Sequence, residues 1–216
     1  MNNIAIIVPH GDDEVLGFGG AVQKHLESGD HITVVTCRAP HDERTAIQLV
    51  DSIKAKEILG YQSIKNILLS EDNISNRPLD LYKSLEKVLC EIKPNIVYTT
   101  FWGDNHQDHK ATYESVRRLI RVWGPLRVKR FLLGEIPSST DQAPKLLFNT
   151  FLPNLYLPIS SEQLNKKINA MQAYSTEQKY MPHPRSPYGI ELLARNRGME
   201  CGHEFAECFM VIRDIL

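Results

Sequence analysis

Two short stretches of this sequence concentrate side chains that bind metals and move protons. The first is Pro9-His10-Gly11-Asp12-Asp13-Glu14. An imidazole at His10 and a carboxylate at Asp13 lie three residues apart, a spacing that lets both converge on one ion within a single turn. Asp12, Asp13 and Glu14 repel one another if all are ionised. The N–H groups at the start of a following helix relieve part of that repulsion, and a divalent cation relieves it more directly. The second stretch is Asp104-Asn105-His106-Gln107-Asp108-His109. His106 and His109 fit one side of a tight turn or helix start, and residue type alone does not say which of them meets a metal. Acid pairs often cap helices, and HisxxHis turns occur on solvated surfaces. Two such clusters, each placed straight after an apolar run, favour a joint metal site. A mixed His/Asp site with open positions suits catalytic zinc and also ferrous iron.

The elements that must position these motifs can be read from periodicity. Ile4–Val8 is a short, continuous apolar run of mostly branched residues, the pattern of a strand buried on both faces. Leu16, Ala21, Val22 and Leu26 recur at helical spacing up to Gly29, and Ile32–Thr36 reads as a second strand. The alternation continues with a helix over Thr45–Leu59, a strand over Asn66–Leu69 and a helix over Pro78–Glu91, with Pro78 suited to a first turn. Asn95–Thr100 reads as a strand, Lys110–Arg121 as a helix and Val128–Leu133 as a strand. Such alternation predicts an α/β fold, a three-layer Rossmann-like sandwich with a largely parallel sheet. Both motifs directly follow buried strands, and open α/β sheets bind ligands beyond the carboxyl ends of their strands. After Gly134 prolines break the rhythm. We expect strand-like pieces at Lys145–Phe148 and Asn154–Leu157, and a helix over Ser160–Tyr174 capped by Ser160 or Ser161. A fixed loop should span Met181–Pro187, followed by a helix over Tyr188–Arg197 and a strand over Phe205–Ile212. The expected organisation is one domain, with 1–133 as the main parallel-sheet portion and 134–216 closing the pocket.

Bulk composition narrows the function classes. The 216 residues are 42% hydrophobic and 24% charged, with a formal net charge of -1. These are ordinary values for a globular protein, without the basic field that nucleic acid demands. The group Arg117, Arg118, Arg121, Arg127, Lys129 and Arg130 reads as a solvated surface. The four cysteines form no CxxC pair, which argues against a disulfide scaffold or a thiolate metal site. No signal-peptide layout or run long enough to span a bilayer is present, so a cytoplasmic protein with no membrane or nucleic-acid partner is expected. The proline-rich second half leaves a homo-oligomer open. A dinucleotide site is disfavoured, because acidic residues stand in the first turn and Gly17-Phe18-Gly19-Gly20 does not follow GxGxxG.

Taken together, these residues resemble the LmbE-like, PIG-L-type deacetylase family. Its opening motif, Ala/Pro-His-Pro-Asp-Asp-Glu, is similar to Pro9–Glu14, and its His-Pro-Asp-His to His106–His109. Gly17–Gly20, Arg197-Gly198 and Phe205-Ala206-Glu207-Cys208-Phe209 resemble further family elements. The resemblance implies that His10, Asp13 and His109 are metal ligands. It likewise implies that Asp12 is the general base, that His106 stabilises the transition state or assists proton transfer, and that Asp108 orients His106. Gly11 and Gln107 replace prolines common in the family, and Gln48 and Asp51 stand near places where arginine and glutamate are frequent.

The implied activity is hydrolytic removal of an acetyl or related acyl group from the nitrogen of an amino sugar or sugar conjugate, with one divalent ion per chain, zinc by expectation. Asp12 would take the water's proton and return it to the leaving amine. A protonated His106 would stabilise the oxyanion. Arg38, His183 and Arg185 are the expected substrate contacts, and His41 and Trp102 are bordering candidates. Trp123 reads as a plug at a helix end. The competing readings are a hydrolase of another small amide or ester, and a metal- or sugar-binding module without catalysis.

Overall fold

The computed structural model describes residues 1–38, 42–69 and 74–216, the side chain of Leu68 excepted. All but one of the expected strands share one seven-stranded sheet in the order β3-β2-β1-β4-β5-β7-β6. These strands are β1 (Asn3–Val8), β2 (His31–Arg38), β3 (Ser63–Leu69), β4 (Ile96–Thr100), β5 (Arg130–Gly134), β6 (Leu155–Pro158) and β7 (Ala206–Asp214). Neighbours from β3 through β5 pair in parallel, whereas β7 runs antiparallel to both β5 and β6. The chain after Gly134 therefore extends the same sheet.

Side-chain alternation along β1 divides the core. Ile4, Ile6 and Val8 pack on one face with residues of α1 (Asp13–Glu27), α2 (Glu43–Leu59), α5 (Ser161–Ala173) and α6 (Pro187–Cys201). Ala5 and Ile7 pack on the other with α3 (Pro78–Ile92) and α4 (Gln107–Leu119). The result is the three-layer α/β sandwich anticipated from the alternation. Because β1 pairs with β2 on one side and β4 on the other, the strand order reverses at β1, opening a crevice at its carboxyl end. Among the described residues, no helix is long and apolar enough to cross a membrane.

Four local expectations need correction. Helix α4 begins at Gln107, not Lys110, because the His106 imidazole caps it by accepting the Asp108 N–H; histidine is not one of the usual capping residues. Lys145–Phe148 is not a strand: Leu146 N–H closes a turn on Pro144, and Leu147 and Phe148 are exposed. Trp123 plugs nothing and is 93% exposed. The last helix starts at Pro187 and runs to Cys201, with Ser186 accepting the Gly189 N–H as its cap.

The glycines of Gly17–Gly20 serve close packing. Glu207 on β7 accepts the N–H groups of Gly20 at 2.7 Å and Ala21 at 2.8 Å, and pairs with Lys167 at 2.6 Å. A Cβ on Gly20 would stand 2.8 Å from Glu207 Cδ and 2.9 Å from Ile159 Cγ2. We therefore expect Gly20→Ala to lower stability by about 1–3 kcal/mol, the usual cost of overpacking. Denaturant unfolding checks this, and an unchanged midpoint would refute the contact.

Candidate metal and catalytic site

Parallel pairing of β1 with β4 brings the two motifs to the same edge of the sheet. Pro9–Asp12 leaves β1 and enters α1, while Phe101–His106 leaves β4 and enters α4. Three donor atoms converge there. Asp13 Oδ2 lies 3.1 Å from His10 Nδ1 and 3.2 Å from His109 Nε2. Ligands at zinc distances on a tetrahedron are separated by roughly 3.3 Å, so these spacings fit one ion with little adjustment. The set holds nitrogen and oxygen donors only, and Asp13 and His109 are each 1% exposed. His10, Asp13 and His109 fit a divalent metal by donor chemistry and spacing. His10, His106 and Asp108 also approach one another closely enough to share an ion. Asp108 Oδ1, however, accepts the Ser75 N–H, and His106 Nδ1 is engaged in the cap.

Each histidine of the first set has a carboxylate beyond it. His10 Nε2 contacts Asp108 Oδ2 at 3.2 Å. His109 Nδ1 lies 3.1 Å from Asp104 Oδ1, within ion-pair range although not aligned as a hydrogen bond. Carboxylates placed in this way fix the ring orientation of a metal-binding histidine and raise its basicity. Sequence reasoning gave Asp104 no role of its own. It is fully buried, accepts the His106 N–H and the Ser139 hydroxyl, and accepts the Thr140 hydroxyl at 2.6 Å. Those hydroxyls come from the turn after β5, which no local signal connects to the second motif.

The charges report the same demand for a cation. Burial opposes protonation of His109, but Asp13 and Asp104 outweigh it and lift its pKa to about 10. Burial also opposes charge on Asp13, yet His109 and His10 hold its pKa well below the usual carboxylate range. Asp12 moves the other way, raised by burial and by the like charge of Asp13 against the pull of Arg185. Two adjacent carboxyls are thus driven apart, as an acid–base assignment requires. Burial, then the neighbouring His10 and His109, lower His106 to about 4.

Asp12 occupies an uncommon backbone conformation, with φ 97° and ψ -34°. For a residue with a Cβ, a positive φ costs on the order of 1 kcal/mol or more. Its peptide is held on both sides: its N–H donates to Glu14 Oε2 at 2.9 Å, and its carbonyl accepts from Val15 and Leu16. Its carboxylate accepts from Arg185 Nη1 at 2.8 Å, while Arg185 Nε donates to the Ser138 hydroxyl at 2.7 Å.

A cavity of about 280 Å³ opens beside these groups, walled by His10, Asp12, Arg38, Arg44, Gln48, His106, His109, Glu177 and Arg185 among others. Of the expected substrate contacts, Arg38 and Arg185 belong to this wall. His183 does not; its Nδ1 accepts the Arg185 N–H and shapes the loop. The expectation that the Asp108 carboxylate holds a protonated His106 also changes. That carboxylate contacts His10 at 3.2 Å, and it is the Asp108 N–H that donates to His106 Nδ1. Trp102 donates to the Phe148 carbonyl and packs against Phe101 and Tyr113. Arg197 is committed to Glu135 and Glu200. His41 lies outside the described residues. Glu177 and Gln48, absent from the expected site residues, join Arg44 in one network.

We expect Asp104→Asn to weaken metal binding about 10- to 100-fold, the usual effect of losing an outer carboxylate. Competition against a chromophoric chelator measures this, and unaltered affinity would remove Asp104 from the support of His109.

The family described as PIG-L, GlcNAc-PI de-N-acetylase, matches residues 5–120. The Escherichia coli (strain K12) protein named uncharacterized deacetylase YaiS is 22% identical over 180 residues, covering 80% of this chain and 90% of that one. Among solved structures, N,N'-diacetylchitobiose deacetylase from Pyrococcus horikoshii is 19% identical over 97% of this chain and 83% of its own, with TM-score 0.75. The A40926 pseudoaglycone deacetylase Dbv21 is 20% identical over 100% and 99%, with TM-score 0.78. A hydratase, GalB from Pseudomonas putida KT2440, also matches at 17% identity over 100% and 98%, with TM-score 0.74, so likeness of fold does not by itself choose a chemistry. The family match spans more than half of the chain and contains both motifs, and the chain belongs to the PIG-L family of deacetylases.

Proposed function

We propose that this protein is a zinc-dependent hydrolase that removes an acetyl or related acyl group from the nitrogen of an amino-sugar-containing substrate. The observation that carries this reading is the meeting of His10, Asp13 and His109 at ion spacing beside Asp12, on the wall of an open cavity. The polar lining of that cavity suits a ligand rich in hydroxyls. A deacetylase of diacetylchitobiose shares the fold, which supports an N-acetylated sugar as the substrate class.

His10, Asp13 and His109 would hold the ion, which when bound supplies Lewis acidity toward a carbonyl oxygen and makes water more acidic. The remaining chemistry belongs to the chain. Arg185 occupies one carboxylate oxygen of Asp12, Oδ2, leaving Oδ1 to take a proton from the attacking water and return it to the departing nitrogen. His106 Nδ1 accepts the Asp108 N–H, which leaves Nε2 as the N–H of the neutral ring. That N–H can donate to the oxygen of the tetrahedral intermediate without the ring carrying charge. The amide and one water give a free amine and a carboxylate.

Release of primary amine from N-acetyl sugars by the zinc-loaded protein tests the activity. In the same assay Asp12→Ala should keep its zinc and lose turnover by about 100- to 10,000-fold, the range of general acid–base contributions. Turnover retained by that variant would remove Asp12 as the base. Zinc binding by the wild-type chain without amine release would favour a binding module.

A further inference from the structure

The mechanism above gives no task to Glu14 or Tyr174, yet the two form a buried pair that ends on Asp12. Both are 0% exposed. Tyr174, which caps the carboxyl end of α5, donates its hydroxyl to Glu14 Oε1 at 2.5 Å across 160 residues of sequence. The other oxygen, Oε2, accepts the Asp12 N–H. The tyrosine ring also backs Gly11: a Cβ there would stand 3.4 Å from Tyr174 Cε1 and 3.6 Å from its hydroxyl. One aromatic side chain thus supports Gly11 by packing and Asp12 through Glu14. Asp12 is the residue of this loop with positive φ, where support of its peptide decides where its carboxylate stands.

We propose that Glu14 and Tyr174 are positioning residues for Asp12, holding its peptide in the positive-φ conformation that places its carboxylate against Arg185 in the cavity wall. This rests on the reading of Asp12 as the general base. A polar pair that merely filled the core would act on the fold as a whole, or on the neighbouring ligand Asp13 as much as on Asp12. The Glu14 carboxylate instead accepts the Asp12 N–H at 2.9 Å. A glutamine at position 14 can keep it, with its carbonyl accepting from Asp12 and its amide donating to the Tyr174 hydroxyl, whereas a leucine cannot.

The test compares full-length, zinc-loaded Glu14→Leu, Glu14→Gln and Tyr174→Phe by crystal structure, by zinc affinity and by kcat and KM for amine release. In Glu14→Leu, Asp12 should leave positive φ and lose its Arg185 contact. Its kcat should fall about 100-fold, the scale of an ångström-sized misplacement, with KM and zinc affinity changed by less than about threefold. Glu14→Gln should restore kcat to within about threefold of wild type, and Tyr174→Phe should fall between the two variants. If Glu14→Leu does not fold, Tyr174→Phe, which removes one hydroxyl, carries the comparison. The proposal is overturned if Asp12 keeps both its φ and its Arg185 contact in the altered chains. It is equally overturned if zinc affinity falls in step with kcat, because the pair then supports the metal ligands. A wild-type chain that releases no amine would defeat the functional reading alone, since the conformation of Asp12 in the variants still decides the positioning role.

Discussion

Negative charge buried around two imidazoles is the constraint on which this structure turns. Asp12, Asp13, Glu14, Asp104 and Asp108 are each at most 3% exposed and gather at the carboxyl ends of β1 and β4. Two unit charges about 5 Å apart repel by roughly 3 kcal/mol even at an effective dielectric of about 20. A cluster of this kind persists only if every member has a partner. Glu14 has Tyr174 and the Asp12 N–H, Asp12 has Arg185, and Asp104 has two hydroxyls and a backbone N–H. Asp13 meets both His10 and His109. What that position demands is a positive charge shared with nitrogen donors, and a metal ion supplies it without consuming a proton.

The sheet makes such a concentration tolerable. Ile4, Ile6, Ile7 and Val8 are 0% exposed, and each fully buried side chain of this kind contributes about 1.5–3 kcal/mol. That apolar framework fixes the ends of β1 and β4 beside each other, so the polar residues need only short turns to converge. The portion after Gly134 then supplies partners: Ser139 and Thr140 to Asp104, Arg185 to Asp12 and Tyr174 to Glu14.

How far the site was legible in the sequence follows from this division of labour. His10 and Asp13 lie within one turn, and His106 and His109 both follow a buried strand, so type, spacing and element order suggest that the two motifs meet. The choice of His109 over His106 as the third ligand rests on the family resemblance. The alternation of short apolar runs and helical periods likewise carried the three-layer fold, because burial on both faces leaves a direct mark on β1 and β4. Asp104 was not singled out, since its importance depends on hydroxyls from a turn that lies elsewhere in sequence. Arg185 was legible as a cation in a proline-fixed loop, but its attachment to Asp12 was not. The resemblance assigns the Asp108 carboxylate to His106, whereas the fold brings it to His10 at 3.2 Å. The start of α4 was misplaced because an imidazole serves there as the cap.

X-ray absorption at the zinc edge, combined with anomalous diffraction from the zinc-loaded protein, tests the central claim most directly. The account predicts one ion per chain between His10, Asp13 and His109, with nitrogen and oxygen neighbours at about 2.0–2.2 Å. Sulfur neighbours at about 2.3 Å, or an anomalous peak away from those three side chains, would contradict it.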